Sequence, residues 1–153
     1  MSQDPHIAAH AARILIVDDD PDNREVLGII LGYEGFSTLA AGSGEEALTM
    51  LAAARLAQQP VDLILLDVIL PGMSGYEVAA MAKRDPATKD IPIIMVTAMD
   101  DLATRTRALH SGAEDFLTKP LDRNELRSHV TTLLTPAPRP TPGVLSTSTR
   151  DTT

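Results

Sequence analysis

The chain has 153 residues, no cysteine and a formal net charge of −8 at pH 7. A single domain of this length can bury a core without disulfides, and the lack of cysteine excludes thiolate metal sites. The acidic balance and the aromatic content of 3% argue against a nonspecific nucleic-acid binder. No apolar run approaches the roughly 18 residues of a membrane span, and residues 1–11 lack a secretory pattern. We therefore expect a loosely ordered leader over residues 1–11 and a cytoplasmic domain after it.

The first strand–helix unit begins with residues 13–17, which read as a short buried strand. Three consecutive aspartates follow, and Pro21 favours a helix start. We predict this helix to extend to about Tyr33. Its apolar residues recur at three- and four-residue spacing, which predicts one apolar face made by Val26, Ile29, Ile30 and Tyr33.

The second unit is a weaker strand over residues 36–40 and a helix that Ser43 caps. Glu46 lies three residues after Ser43, which matches a capping box. Residues 63–66 are an unbroken apolar run, typical of a strand covered on both faces. Asp67 ends that run, and the following LPGMSG has the composition of a turn. Taken alone, Asp67 is interpreted as a turn residue or a helix cap just as well as it is interpreted as a functional carboxylate.

Three further helices and two strands complete the pattern. We predict a helix over residues 76–84 with Val78 and Met81 facing inward, a strand over 91–96 and a helix over 101–110. A fifth strand over 113–118 and a final helix over 123–134, capped by Asp122, follow. Five alternating units predict an α/β doubly wound parallel sheet, flavodoxin-like, with strand order 2-1-3-4-5.

Acidic side chains follow two strands that this order makes neighbours, namely Asp18, Asp19 and Asp20 after the first strand and Asp67 after the third. The aspartate run by itself is typical of helix capping. Facing Asp67 across one crevice, however, the carboxylates would repel each other unless a hard cation lay between them. The sequence therefore indicates a site for Mg²⁺, or Mn²⁺ in its place, with coordination positions left for phosphate oxygens.

The fourth and fifth strands end in Thr97 and Lys119 at the same edge of the sheet. Separately, these are a strand-end threonine that can cap a helix and an ordinary surface lysine. Together with the carboxylates, a hydroxyl and an ammonium match the groups that phosphoryl transfer requires.

The motifs ILIVDDD at 14–20, LILLDVILPGMSG at 63–75, IIMVTA at 93–98 and GAEDFLTKP at 112–120 resemble the response-regulator receiver domain of bacterial two-component signalling. The resemblance covers roughly residues 12–135. It implies a signalling domain that is not an enzyme in its own right, phosphorylated by a sensor histidine kinase or a phosphotransfer protein.

The resemblance also implies residue roles. Asp67 corresponds to the phospho-accepting aspartate, which becomes a 4-aspartylphosphate, and Thr97 and Lys119 to the groups that contact the phosphoryl group. Its metal ligands correspond to four residues, Asp18, Asp19, Asp67 and the backbone carbonyl of Ile69. Asp20 has no matching role, and we interpret it as a helix cap.

The resemblance extends to other known features of the family. Phe116 matches the aromatic switch residue, and Lys119–Pro120 matches a cis peptide bond. Ile69 and Met99 occupy the two positions that tune the lifetime of the phosphoryl group. Because both are apolar and cannot orient a water molecule, we expect slow self-dephosphorylation.

The output is the part that the sequence leaves open. Residues 136–153 are rich in Pro, Ser and Thr, which predicts a tail or linker. Mixed charges on the fourth helix, fifth strand and fifth helix are typical of solvated surface. They are also compatible with a phosphorylation-dependent homodimer face that controls an output partner or domain. The charged residues are Arg105, Arg107, Glu114, Asp115, Arg123 and Arg127.

Two other functions remain open at this point. A small magnesium-dependent phosphohydrolase also uses an aspartate nucleophile, although it places that residue after the first strand. A receiver-like fold without phosphorylation could act only as a binding module, although all five site positions are present here.

Overall fold

The computed structural model describes residues 11–99 and 101–134, and the predicted tail and all but one residue of the predicted leader lie outside them. Five strands and five helices alternate along the chain: β1 (Arg13–Val17), α1 (Pro21–Tyr33), β2 (Ser37–Ala41), α2 (Gly44–Leu56), β3 (Leu63–Asp67), α3 (Gly75–Arg84), β4 (Ile93–Thr97), α4 (Leu102–His110), β5 (Asp115–Thr118) and α5 (Arg123–Leu134). In this part of the chain, no helix is both long and apolar enough to cross a membrane.

The strands form one parallel sheet in the order β2-β1-β3-β4-β5, which confirms the predicted topology. All five residues of β3 and all five of β4 are buried, because both strands are central and covered on both faces. One apolar layer includes Leu27, Leu31 and Leu126 of α1 and α5, and the layer on the other face receives α2, α3 and α4. A doubly wound α/β architecture results.

The face of α1 that the sequence analysis assigned to a shared apolar stripe is not the face that packs on the sheet. Leu27 and Leu31 are the buried residues of this helix, whereas Val26 is 52% exposed, Ile29 53% and Tyr33 78%. Ile30 only partly packs against the core. The helix has apolar residues on more than one face, and its packing against β1 and β2 decides which face is buried.

A similar correction applies to α3. Val78 is fully buried as predicted, but Met81 is 41% exposed, and Ala79 and Ala82 take the inward positions instead. Small side chains fit there because α3 approaches its neighbours closely. A Cβ atom added to Gly44 of α2 would lie 2.5 Å from Cγ2 of Val78.

Ser43 caps α2 as predicted, but the capping box expected there is incomplete. The Ser43 hydroxyl accepts the Glu46 N–H, but the Glu46 carboxylate accepts the N–H of Gly42 instead of completing a capping box. The full capping box lies at the start of α3, between Ser74 and Glu77. The Asp122 carboxylate accepts the N–H of Glu125 at 2.8 Å, as expected of the cap of α5.

Both β4 and β5 begin two residues later than predicted. The carbonyl of Ile91 accepts a hydrogen bond from the Lys83 side chain, and the N–H of Ala113 bonds to Ala108 at the end of α4. These groups are therefore occupied by bonds outside the strand ladder.

Candidate functional site

The carboxyl ends of four neighbouring strands place polar side chains at one edge of the sheet. Val17 pairs in register with Leu66, Asp67 with Val96 and Thr97 with Thr118. The N–H of Lys119 donates to the Thr97 carbonyl, which continues the ladder by one residue. The strands therefore end at nearly the same level, and a site can form there.

Asp67 is at the centre of this edge. The residue is only 7% exposed, and its Oδ1 accepts the N–H of Ile69 at 3.0 Å. Its Oδ2 accepts a hydrogen bond from the Nζ atom of Lys119 at 2.8 Å. Burial raises the pKa of the Asp67 carboxyl above its ordinary value, and the bonds from Lys119 and the Ile69 N–H offset part of that rise.

Gly75 explains why the end of β3 is so closely covered. Its N–H donates to the Val68 carbonyl at 2.9 Å, which brings the start of α3 directly onto the strand. A Cβ atom at Gly75 would lie 2.2 Å from the carbonyl oxygen of Asp67. Glycine is needed here because any other residue would push the strand end, and the Asp67 carboxylate with it, out of place.

Asp18 contributes the second buried carboxylate and is 3% exposed. Its Oδ1 accepts the N–H of Asp20, and its Oδ2 accepts hydrogen bonds from Lys119 Nζ at 3.1 Å and from the amide of Asn23 at 3.4 Å. The backbone carbonyl of Asp18 accepts a hydrogen bond from the Arg24 guanidinium at 2.7 Å. Sequence reasoning missed Asn23 and Arg24; their only signal was their position in the first turn of α1, beside the aspartates.

Asp19 is exposed and completes an acidic group with Asp18 and Asp67, one carboxylate oxygen from each lying within 4.8 Å of the others. Asp20 is apart from this group and caps α1 by accepting the N–H of Asp22 at 2.9 Å, as predicted. Three carboxylates that converge in this way form a donor set of hard oxygens.

Lys119 joins the two buried carboxylates of the site, Asp18 and Asp67. Burial alone would lower the pKa of its ammonium, but the hydrogen bonds and the attraction to Asp67 and Asp18 outweigh burial and raise the pKa. The Lys119–Pro120 peptide bond is cis.

The remaining predicted residues surround this centre at different depths. Thr97 is completely buried, and its hydroxyl accepts the N–H of Met99 at 3.1 Å. Ile69 and Met99 are 59% and 49% exposed, so their side chains lie at the mouth of the site. Phe116 is half-buried on β5 and packs against the apolar layer that contains Met95.

A groove of about 440 Å³ opens beside the site, between α1 and the segment after β5. Asp18, Asn23 and Lys119 line one end of it. Its remaining walls are apolar or small and are formed by Val26, Leu27, Ile30, Ala98, Pro120 and Leu121. The exposed stripe of α1 is therefore continuous with the acidic site.

These features together define a class of signalling domain. They are a five-stranded 2-1-3-4-5 sheet, an acidic pair after β1, a central aspartate, a strand-end threonine and a lysine. Residues 14–131 match the response regulator receiver domain family, and the chain belongs to this family. It is a receiver domain of the response regulators of two-component systems.

Curated relatives agree with this membership. The chain is 42% identical over 123 residues to the response regulator PleD of Caulobacter vibrioides, covering 80% of this chain and 26% of PleD. It is 42% identical over 118 residues to the DNA-binding response regulator MtrA of Mycolicibacterium smegmatis, covering 77% of this chain and 48% of MtrA. The chain thus spans less than half the length of either relative.

Solved structures give the same fold. The receiver domain of a signal transduction histidine kinase from Syntrophus aciditrophicus has a TM-score of 0.72 at 36% identity, covering 92% of this chain and 98% of that one. The chemotaxis protein CheY4 of Vibrio cholerae has a TM-score of 0.72 at 29% identity, covering 81% and 99% respectively.

Proposed function

We propose that this chain accepts a phosphoryl group on Asp67 from a phosphohistidine of a sensor histidine kinase or phosphotransfer protein. The observation that carries the proposal is the buried Asp67 carboxylate, bonded to Lys119 at 2.8 Å and adjacent to the carboxylates of Asp18 and Asp19. Membership of the receiver family supports the same assignment. The product is an aspartyl phosphate that serves as a signal.

The acidic group fits a divalent cation that prefers oxygen ligands, with Mg²⁺ the first choice and Mn²⁺ the alternative. Three carboxylates have oxygens within 4.8 Å of each other, whereas a single ammonium compensates their charge. We infer that Asp19 and Asp67 bind the ion directly, that Asp18 acts through water, and that the Ile69 carbonyl is a further ligand. When bound, the ion offsets the negative charge of the carboxylates and the phosphoryl oxygens.

The transfer itself is a displacement at phosphorus. A carboxylate oxygen of Asp67 forms a bond to phosphorus while the phosphorus–nitrogen bond of the donor breaks, and the electron pair of that bond stays on the imidazole. Lys119, already bonded to Asp67 Oδ2, provides a positive charge for a phosphoryl oxygen. The Ile69 N–H orients the carboxylate through Oδ1.

The response to phosphorylation begins at Thr97 and Phe116. A phosphoryl oxygen competes with the Met99 N–H for the Thr97 hydroxyl, and movement of Thr97 opens space for the ring of Phe116. The face formed by α4, β5 and α5 is thereby reshaped, which is a population shift between two packings.

The exposed stripe of α1 is our proposed contact for the phosphoryl donor. Val26 and Ile30 lie on the groove that ends at Asp18 and Lys119, and Ile29 and Tyr33 extend the apolar surface along the helix. An apolar helix of the donor can pack there while its phosphohistidine reaches Asp67.

The next part of the proposal concerns the surface through which the domain passes its signal to an output domain or partner. Because the chain spans 26% of PleD and 48% of MtrA, an output domain or a separate output partner is part of the proposal. We place the contact, or a phosphorylation-dependent homodimer, on the face formed by α4, β5 and α5. No role in binding nucleic acid or a membrane is assigned to this chain.

The direct test is incubation with acetyl phosphate and MgCl₂, followed by intact mass measurement. The wild type is expected to gain one phosphoryl group, and Asp67→Asn none. Asp62→Asn is the matched control, because Asp62 bonds to the Arg13 N–H at the opposite end of the sheet. A wild type that stays unmodified and binds no Mg²⁺ would instead indicate a pure binding module, and multiple-turnover phosphate release from a generic ester would indicate a phosphohydrolase.

A further inference from the structure

Helix α4 is weakly anchored to the rest of the domain. Its buried residues are Thr104 and Ala108, both of which have small side chains. Its larger apolar residues, Leu102 and Leu109, are 79% and 57% exposed. Apolar burial therefore contributes little to the position of α4, and other contacts must hold it in place.

Two arginines of α4 reach aromatic rings on the neighbouring elements. The Arg105 guanidinium lies 5.5 Å from the ring centroid of Phe116 on β5, and that of Arg107 lies 4.2 Å from the centroid of Tyr76 on α3. Residues two apart on a helix are related by a rotation of about 200° around the helix axis, so the two contacts lie on opposite sides of α4. Both distances are within the range of a cation–π interaction.

The two cation–π contacts involve aromatic residues with different predicted roles. Tyr76 is on α3 and has no predicted part in the switch, whereas Phe116 is the predicted switch residue. The backbone of Phe116 is already fixed, because its N–H donates to the Asp115 carboxylate at 2.8 Å and β5 pairs with β4 in register. The side-chain rotamer is thus the part of Phe116 that remains free to change, and Arg105 covers its ring.

We propose that Arg105 is a positioning residue that holds the ring of Phe116 in its half-buried position and so opposes the switch, while Arg107 keeps α4 attached to α3 in both packings. The inference rests on the proposed phosphoryl-acceptor function. An inward turn of Phe116 breaks the Arg105–ring contact but leaves Arg107 on Tyr76. Loss of Arg105 therefore favours the switched packing before any phosphoryl group is present, and loss of Arg107 does not.

The ring itself can be observed directly. The chain has two phenylalanines, Phe36 and Phe116, so ring-labelled phenylalanine gives two sets of NMR signals and Phe36 is an internal reference. We expect Arg105→Ala to move the Phe116 signals while those of Phe36 stay, and Arg107→Ala to leave both in place. This measurement needs no phosphoryl donor. Unchanged Phe116 signals in Arg105→Ala, or equal changes in both variants, would overturn the inference even if Asp67 is phosphorylated as proposed.

The rate of modification by acetyl phosphate gives the functional consequence. If Arg105 opposes the switch through the ring, Arg105→Ala should be phosphorylated about two- to fivefold faster than the wild type, the effect expected of one partly exposed cation–π contact. In a Phe116→Leu background the same substitution should have no further effect, because the ring is gone. An equal acceleration in both backgrounds would assign the effect to another contact of Arg105 and refute the proposal. Complete failure of the wild type to be modified would count against the proposed function, and the NMR result would then stand alone.

Discussion

Two lysine–carboxylate networks lie at opposite ends of the same sheet, and they differ in how well they are balanced. At the amino end, the Nζ of Lys83 donates to the carbonyls of Lys89 and Ile91 and to Oε2 of Glu114, at 3.0, 2.8 and 2.7 Å. The other oxygen of Glu114 accepts the N–H of Ile93. One ammonium meets one carboxylate, and all three of its N–H groups have acceptors.

At the carboxyl end, one ammonium is shared by more carboxylates than it can neutralise. Lys119 bonds to Asp18 and Asp67, whose side chains are 4% and 8% exposed, and Asp19 is close to both. The balanced network at Lys83 fixes the turns before β4 and β5, which makes it structural. The excess negative charge at Lys119 suits the divalent cation that we propose for this site. The same residue types thus serve structure or function according to the balance of charge.

The largest effect is expected from the glycines beside each network. Gly75→Ala places a Cβ atom 2.2 Å from the backbone oxygen of Asp67, and this backbone cannot move without shifting β3. Gly112→Ala meets the flexible side chain of Lys83 at 2.7 Å, at a φ of +102°. We expect Gly75→Ala to lower the free energy of unfolding by about 3 kcal/mol and Gly112→Ala by about 1–2 kcal/mol. Urea denaturation of both variants checks this order, and a larger loss at Gly112 would contradict it.

The exposed apolar residues at the mouth of the carboxyl-end site offer a kinetic test. The variant with Ile69→Asn and Met99→Glu introduces polar groups that can orient a hydrolytic water. We expect its phosphoryl lifetime to be shorter by about tenfold, less than the roughly 100-fold of a well-placed general base. Decay of the phosphorylated species is followed by intact mass, with the exposed pair Leu56→Asn on α2 and Met81→Glu on α3 as the control. Equal lifetimes of wild type and the 69/99 variant would refute the expectation.

Replacing a carboxylate by its neutral amide should change the free energy of unfolding in opposite directions in the two networks. Burial raises the pKa of Asp67, so its ionised form costs stability at neutral pH, and Asp67→Asn should stabilise the fold by about 1 kcal/mol. Glu114→Gln removes the charge from a satisfied pair that is partly exposed, and it should destabilise by about 1 kcal/mol. Thermal unfolding in EDTA at pH 7 measures both. Destabilisation by both substitutions would remove the distinction between the two ends.

The smallest effect is expected at the exposed cap of α4, which belongs to neither network. The N–H and the side chain of Thr104 hydrogen-bond to Asp101 and hold the pKa of that carboxyl below its ordinary value. A lowered pKa in the folded state gives stability that is present above the unfolded-state pKa and is lost as the pH falls through the folded-state pKa. Asp101→Asn keeps the cap but not the charge, so wild type should be slightly more stable at pH 7 and the difference should vanish on acidification below about pH 4. A difference that is the same at every pH would show that charge is not involved.

Sequence reasoning could predict the site because its parts are local. Asp18, Asp67 and Thr97 each follow an apolar run of strand length, and Lys119 follows the short fifth strand. Parallel strands bring their carboxyl ends to one edge. The alternation of strands and helices likewise sufficed for the topology. Identifying the site therefore required the order of the strands and no knowledge of side-chain packing.

Helix faces and long-range pairs could not be predicted in the same way. The apolar residues of α1 surround more than one face, so periodicity alone selected Val26 and Ile29 where the sheet buries Leu27 and Leu31. Lys83 and Glu114 are 31 positions apart, and each is unremarkable as a surface charge until the fold joins them.

The sequence by itself thus determined the fold class, the residues at the strand ends and the family, because these depend on hydrophobic pattern and on residues read one strand at a time. Tertiary structure alone decided which face of α1 is left exposed beside the site and that the charge of Lys83 is matched by one carboxylate. It also decided that Arg105 covers the ring of Phe116. Those features depend on contacts between segments that are distant in sequence. The free energies of packing and charge pairing arise from these contacts and cannot be assigned to a single segment.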